Sequence, residues 1–141
     1  MNRLKQIIMH VASIYKRSHK SGCFGATMTY KNITKNIAGV EPETTNKRLQ
    51  LITVVKALQK LKEPCNVTIY SPSTYLCYSV NNGWLRRWKE NGWVRSQGRE
   101  LANKDIWQIL DTLLETHNVK FVCTEKQNKK SESYQLAQKA S

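Results

Sequence analysis

Apolar, β-branched and aromatic residues are concentrated in three runs within the first forty residues. The runs are Ile7–Tyr15, Phe24–Tyr30 and Ile33–Val40, with a break at Gly22 and an end before Pro42. Runs of this length and composition, bounded by Gly and Pro, are typical of β-strands. Three consecutive strands with short links predict an antiparallel meander.

A long helix is predicted after the third strand. Capping residues precede it, and apolar residues then recur at helical spacing, namely Thr44, Thr45 and Asn46 followed by Leu51, Val54, Leu58 and Leu61. Pro64 ends this pattern, and a buried-strand pattern at residues 67–70 and a helix-like stretch at residues 74–80 follow. The order of these elements predicts a β-α-β crossover.

Residues 81–104 differ from the rest of the chain, because tryptophans and basic residues alternate there. This Trp-rich basic segment contains Trp84, Arg86, Arg87, Trp88, Lys89, Trp93, Arg95, Arg99 and Lys104. Beyond it, the periodicity predicts a helix at 101–117, a strand at 119–123 and a helix at 131–140. The whole predicts an α/β (α+β mixed) fold in one domain, residues 1–141: a five-stranded mixed sheet, three strands antiparallel and then two parallel, flanked by helices.

Charge is the next informative feature of the chain. The 141 residues include 23 Lys and Arg against 10 Asp and Glu, a formal net charge of +13. No acidic residue occurs between Met1 and Val40, and Asp105 and Asp111 are the only aspartates. A compact domain with this excess of positive charge is expected to bind a polyanion, which neutralises the repulsion between its basic side chains. Nucleic acid is therefore the first expected partner and a membrane surface the second.

The cysteines and the N-terminal run limit other classes of function. Cys23, Cys65, Cys77 and Cys123 are widely spaced, without a C-x-x-C pair or a histidine at ligand spacing. This pattern predicts neither a zinc site nor a disulfide framework, and it favours a reducing, cytoplasmic location. The N-terminal apolar run is too short to span a membrane, so no spanning segment is predicted. Of the two candidate partners we keep nucleic acid and expect no membrane.

Two motifs resemble type I ribonuclease H. T-T-N-K-R-L-Q-L at residues 44–51 is similar to T-T-N-N-R-M-E-L of that family, and W-L-R-R-W-K-E-N-G-W at residues 84–93, followed by N-K-D-I-W at 103–107, keeps the family's tryptophan spacing. The resemblance covers nearly the whole chain. It implies a ribonuclease H-like fold and, in the family, cleavage of RNA in an RNA–DNA hybrid by two metal ions held by carboxylates.

The family's four metal-binding carboxylates are missing in this alignment. Their positions fall on Lys16, Gln50, Pro72 and Tyr134. Hard divalent cations prefer anionic oxygen ligands, and an ammonium at such a position repels them. We therefore expect no catalytic residue, no metal and no cofactor. Glu125 and Glu132 are the nearest other acids, and they are too few to rebuild a site with four ligands.

The resemblance implies nucleic-acid contacts at the Thr–Thr–Asn motif and at the Trp-rich basic segment. The expected contact residues are Lys16, Thr44, Thr45, Asn46, Trp84, Arg86, Arg87, Trp88, Lys89, Trp93, Arg95 and Arg99. Other interpretations stay open, because large aromatic residues usually pack in cores and Thr45 and Asn46 fit simple helix caps. Lys16 is either a product of decay or a substitute for the metal charge.

Three functions follow from these interpretations. The leading expectation is a catalytically inactive ribonuclease H-like protein that binds RNA–DNA hybrid or double-stranded RNA by backbone and shape, as a binding or scaffolding component. The first alternative is a protein-interaction subunit of a larger ribonucleoprotein or polymerase assembly. The second is a residual metal-dependent ribonuclease H with a rebuilt site.

Overall fold

The computed structural model describes residues 4–124 and 126–140. The strands in these residues are β1 (Lys5–Lys16), β2 (Ser21–Tyr30), β3 (Ile33–Glu41), β4 (Cys65–Ser71) and β5 (Asn118–Cys123). The α-helices are α1 (Asn46–Leu58), α2 (Thr74–Asn81), α3 (Trp84–Glu90), α4 (Lys104–Thr116) and α5 (Glu132–Ala140). No helix in the described ranges is long and apolar enough to cross a membrane.

All five strands form one mixed sheet in the order β3-β2-β1-β4-β5. β1 pairs antiparallel with β2, and β2 with β3, which is the predicted meander. β4 pairs parallel with β1 and with β5. The connections that precede these two strands contain helices, α1 before β4 and α2 to α4 before β5, as parallel pairing requires. The predicted fold class, a five-stranded mixed sheet flanked by helices, is confirmed.

The core lies between the sheet and the helices that follow β3. Alternate residues of β1, Ile7, Met9 and Val11, are buried and join a cluster with Leu58 of α1 and Trp107 of α4. This alternation is expected of a strand with one face against a helix layer. The helices thereby hold the ends of β1 and β4 in fixed positions.

α5 packs against β2 at very short range. A Cβ atom at Gly25 would lie 2.3 Å from the Ser133 carbonyl oxygen and 2.7 Å from the Ala137 nitrogen. Only glycine leaves room for a helix backbone at this distance, because it has no side chain. The absence of a Cβ at Gly25 therefore sets the position of α5 on the sheet.

One helix was not predicted. Residues 84–90 form α3, whereas the sequence pattern indicated no helix within the Trp-rich basic segment. This helix is too short for helical periodicity to be recognised in the sequence. Gly83, with φ 77°, and Gly92, with φ 76°, turn the chain sharply near its two ends. The cysteines are free in the structure.

Arg48 of α1 and Asp105 of α4 form a two-pronged ion pair that joins the starts of the two helices. Arg48 Nη1 donates to Asp105 Oδ1 at 2.9 Å, and Nη2 donates to Oδ2 at 2.6 Å. The hydrogen bonds from Arg48 lower the pKa of the Asp105 carboxyl to about 2. The planar geometry of this pair is the most favourable that an arginine and a carboxylate can adopt.

We expect Asp105→Asn to lower the free energy of unfolding by about 0.5–1 kcal/mol at neutral pH, a modest value because the pair is partly exposed. The folded pKa lies below the unfolded one, so this contribution is present above the unfolded value of 3.8 and is lost as pH falls toward about 2. Urea denaturation in a double-mutant cycle with Arg48→Met measures it. Zero coupling at neutral pH would contradict the expectation.

Candidate active-site cleft

An open cleft of about 370 Å³ lies where β1, β4 and α1 meet. We call it the cleft and define it by six of its lining residues, Ala12, Asn46, Gln50, Pro72, Ser73 and Gln127. The last parallel pair of β1 and β4 is His10 with Tyr70, so Ala12 and Pro72 each lie two residues beyond it. The carboxyl ends of two parallel strands and the first turns of α1 are thus brought to one place.

The structure corrects the position of Lys16. Lys16 is exposed at the end of β1, where it pairs with Ser21 across the hairpin. It lies four residues beyond Ala12, roughly 13 Å along an extended strand, and it is not a lining residue of the cleft. The β1 residue beside Pro72 is Ala12, which is 3% exposed. Lys16 is therefore outside the cleft lining, although Tyr15, the residue before it, is a lining residue. The interpretation of Lys16 as a substitute for the metal charge stays a prediction.

Tyr134 is also outside the cleft lining. It belongs to the first turn of α5, where its backbone N–H donates to Ser131 Oγ at 3.2 Å. The preceding loop instead contributes Gln127, whose Oε1 accepts a hydrogen bond from the Ser13 backbone N–H at 3.1 Å. Of the four family positions assigned from the sequence, only Gln50 and Pro72 line the cleft.

Gln50 and Ser73 form the polar centre of the cleft. Ser73 Oγ donates to Gln50 Oε1 at 2.5 Å, and it accepts the Leu76 backbone N–H at 3.1 Å as the N-cap of α2. Gln50 Nε2 donates to Asn46 Oδ1 at 3.4 Å, one helical turn away. The glutamine oxygen is therefore occupied by Ser73, and its amide hydrogens face the side of Asn46.

These residues do not fit a pair of divalent cations. The cleft offers neutral amides and hydroxyls, with Ala12 and Pro72 contributing no side-chain donor atom at all. Within residues 4–124 and 126–140, no three His, Cys, Asp or Glu side chains form a group that could hold a metal ion. Mg²⁺ and Mn²⁺ prefer anionic oxygen ligands. The neutral side chains of the cleft therefore do not provide a binding site for either ion.

Of the two acids considered for a rebuilt site, the one that the structure describes is not in the cleft. Glu132 lies at the start of α5, where its Oε1 accepts a hydrogen bond from Asn36 Nδ2 of the edge strand β3 at 3.3 Å. Glu125 lies outside the described residues. The structure therefore directs the search for reactive groups to Gln50, Ser73 and Gln127. Ser73 and Gln127 were not predicted from the sequence, although the S-P-S motif before α2 marks Ser73 as a helix cap.

The three residues of the Thr–Thr–Asn motif have different roles in the structure. Thr44 is buried, and its backbone N–H donates to the Lys20 carbonyl at 2.9 Å, so it serves the fold and is corrected as a contact residue. Thr45 is exposed and caps α1, with its Oγ1 accepting the Arg48 N–H at 3.2 Å. Asn46 is exposed at the mouth of the cleft. Two of the three residues thus remain accessible beside the cleft.

Tryptophans attach the Trp-rich basic segment to the core. Trp107 of α4 is fully buried, and its Nε1 donates to the Tyr75 hydroxyl at 2.9 Å. Trp88 of α3 packs edge-on against it with ring centroids 5.3 Å apart, and Trp93 is partly buried against the same cluster. Trp84 is 42% exposed and is the tryptophan placed for an outside contact. The main role of Trp88 and Trp93 is therefore to pack the segment against the core.

The basic side chains of this segment also divide into two groups. Lys89 pairs with Asp111 at 3.1 Å and with Glu115 on α4, and Arg87 Nη2 donates to the Asn82 carbonyl at 3.0 Å. Three further arginines are exposed and form no side-chain hydrogen bond or ion pair with the described residues: Arg86, Arg95 and Arg99. The uncommitted positive charge of the segment lies on these three arginines and on Lys104, which is also exposed.

Comparison with known proteins gives a consistent result. The sequence profile described as RNase H matches residues 5–129. The chain is 39% identical over 117 residues to a ribonuclease H of Chlorobium chlorochromatii, which is 83% of this chain and 80% of that protein. It is 42% identical over 113 residues to a ribonuclease H of Francisella philomiragia, 80% of this chain and 74% of that protein.

Solved structures share the fold. LC9-RNase H1, described as a type 1 RNase H with the type 2 active-site motif, superposes with a TM-score of 0.77 at 19% identity, over 99% of this chain and 71% of that one. LC11-RNase H1 in complex with RNA/DNA hybrid superposes with a TM-score of 0.65 at 15% identity, over 95% of each chain. At these identities the superpositions establish the fold alone.

The relatives correct the leading functional expectation. The missing carboxylates led us to expect a catalytically inactive binding component, whereas relatives at about 40% identity over most of the chain carry the name ribonuclease H. They favour the alternative of a residual enzyme with a rebuilt site. Motif, profile, sequence identity and fold agree, and the chain belongs to the ribonuclease H family.

Proposed function

We propose that this protein is a residual ribonuclease H with a rebuilt site, which binds RNA–DNA hybrid across the cleft and cleaves the RNA strand. The observation that carries this proposal is the 39% identity to a ribonuclease H over 83% of this chain and 80% of that protein. The family profile matches residues 5–129, which include the elements that form the cleft.

The geometry of the cleft supports the choice of hybrid. A hybrid has an A-form-like shape with a wide, shallow minor groove that displays sugar hydroxyls and phosphates. The exposed Thr45 and Asn46 stand beside the cleft and can hydrogen-bond such groups, as can Gln50 inside it. Among related folds, LC11-RNase H1 has been solved with an RNA/DNA hybrid. Double-stranded RNA shares this shape and is the competing ligand.

The Trp-rich basic segment supplies the long-range attraction in this proposal. Arg86, Arg95 and Arg99 are exposed and unpaired among the described residues, so their charge is available to phosphates. Phosphate contacts set affinity and register without selecting a sequence. We therefore propose that binding is independent of base sequence. A protein partner in a larger assembly stays a prediction.

The first prediction concerns cleavage. Protein purified from a host that lacks its own ribonuclease H should cleave the labelled RNA strand of a hybrid, assayed with Mg²⁺ and with Mn²⁺. Gln50→Leu removes the partner of Ser73 and one donor in the cleft, so the rate should fall about tenfold, the equivalent of one hydrogen bond.

Gln59→Leu is the matched control, because Gln59 lies at the other end of α1 and is exposed. Its rate should equal that of the unaltered protein. Wild-type cleavage that is no faster than a protein-free blank, with either metal ion, would refute the proposed activity. A rate unchanged by Gln50→Leu would show that the activity arises elsewhere.

The second prediction concerns the salt dependence of hybrid binding. Changing Arg86, Arg95 or Arg99 to Gln should weaken binding and reduce the slope of log K against log salt by up to about 0.9 for each phosphate that the variant no longer neutralises. Lys56→Gln, an exposed charge change in α1, should leave the slope unaltered. Anisotropy titrations over a range of salt concentrations measure both.

Lys89→Gln should behave differently from these arginine variants. It leaves Asp111 and Glu115 without their cation, so thermal stability should fall together with affinity. If the slope of log K against log salt were the same for every variant and the unaltered protein, the Trp-rich basic segment would not be part of the binding surface.

A further inference from the structure

The described residues that line the cleft are uncharged, although the protein is strongly basic. None of the cleft's lining residues among the described ranges is Lys, Arg, Asp or Glu, although the chain carries 23 basic and 10 acidic residues. Three lysines stand next to lining residues along the chain: Lys16 after Tyr15, Lys47 after Asn46, and Lys126 before Gln127. These three lysines are thus adjacent in sequence to the cleft lining, while the lining residues that the structure describes carry no formal charge.

Hydrogen bonds fix which atoms the cleft presents. The Gln50 oxygen is taken by the Ser73 hydroxyl at 2.5 Å, and Ser73 is itself held by the Leu76 N–H. The Gln127 oxygen is taken by the Ser13 N–H at 3.1 Å. Both side-chain amides therefore use their oxygens on the protein. Gln50 Nε2 donates one hydrogen to Asn46 Oδ1 and has a second hydrogen left to donate, and the Gln127 NH₂ is likewise a donor. Donors suit phosphate oxygens and do not suit a cation.

A phosphate in this cleft meets no like charge. In a cleft lined by carboxylates, a phosphodiester would be repelled until cations neutralised the acids, because like charges at contact distance raise the free energy of the complex. Gln50 in place of an acid removes that repulsion, and Ala12 and Pro72 add none. The cation is thereby unnecessary for holding the backbone.

We propose that the cleft binds a backbone phosphate of the nucleic acid directly through neutral donors, with no divalent cation between them, so that hybrid affinity is the same with and without Mg²⁺. The inference takes the hybrid as ligand from the proposed function, but it concerns binding and not cleavage. It adds to that function the group that the cleft binds, a backbone phosphate, and the absence of any requirement for a divalent cation.

The test compares hybrid affinity in EDTA and in Mg²⁺ at matched ionic strength, by anisotropy of a labelled hybrid whose intactness is checked on a gel. The unaltered protein should show the same Kd in both, within about twofold. Gln50→Glu keeps an acceptor for Ser73 and adds one negative charge, so its affinity in EDTA should fall about tenfold and recover in part with Mg²⁺.

Gln59→Glu is the matched control. It adds the same charge about 13 Å away at the end of α1, and its affinity should change little and show no recovery with Mg²⁺. Pro72→Asp, assayed in the same way, is a second carboxylate variant for the case that Gln50→Glu fails to fold, which circular dichroism would reveal.

Three results would overturn the inference: wild-type affinity that rises fivefold or more with Mg²⁺, folded carboxylate variants that bind in EDTA as well as the wild type, or no hybrid binding at all. The cleavage assay is a separate measurement. Metal-independent binding without cleavage would support this inference and refute the proposed activity, and cleavage with Mg²⁺-dependent binding would do the reverse.

Discussion

The parallel pairing of β1 with β4 is the constraint on which the rest of the structure depends. It ends at His10 and Tyr70, and it places the next residues of both strands side by side at the start of α1. Because the core fixes the strands through Met9 and Ile69, both fully buried, the positions of Ala12 and Pro72 follow from packing. The cleft is therefore a consequence of sheet register, whatever side chains occupy it.

Charged side chains and hydrogen-bonding side chains occupy different positions around this cleft. Exposed arginines of the Trp-rich basic segment and lysines adjacent to the cleft provide attraction over a distance, which salt screens. Inside the cleft, Gln50 and Ser73 provide short-range donors whose directions are fixed by bonds to the protein. The ion pair of Arg48 with Asp105 joins α1 to α4, so the two regions are mechanically connected.

The fold was predictable from the sequence because its signals are local. The strand runs, the caps before α1 and the period of Leu51, Val54 and Leu58 each require only neighbouring residues, and all appear in the structure. α3 has seven residues between two glycines with positive φ, which is too short for a period to be recognised. Gln50 and Pro72 both line the cleft, and Gln50 lies within the T-T-N-K-R-L-Q-L motif, which aligns without a gap.

The parts of the site that depend on register were not predictable. An alignment shift of four residues in β1 moved the expected position from Ala12 to Lys16, and only the pairing with β4 decides between them. Gln127 reaches the cleft from a loop without a periodic pattern, through a hydrogen bond to Ser13 that no local signal marks. Activity was judged from the missing carboxylates alone, whereas the relatives at about 40% identity favour an enzyme.

The central claim is that nucleic acid is held in the cleft, and mapping backbone amide shifts by NMR during a hybrid titration in EDTA tests it most directly. The account predicts that the largest shifts fall on Ser13, Asn46, Gln50 and Ser73, with small shifts at Lys60 and Glu63 near the opposite end of the sheet. Shifts confined to that opposite end, or an unperturbed cleft under saturating hybrid, would contradict it.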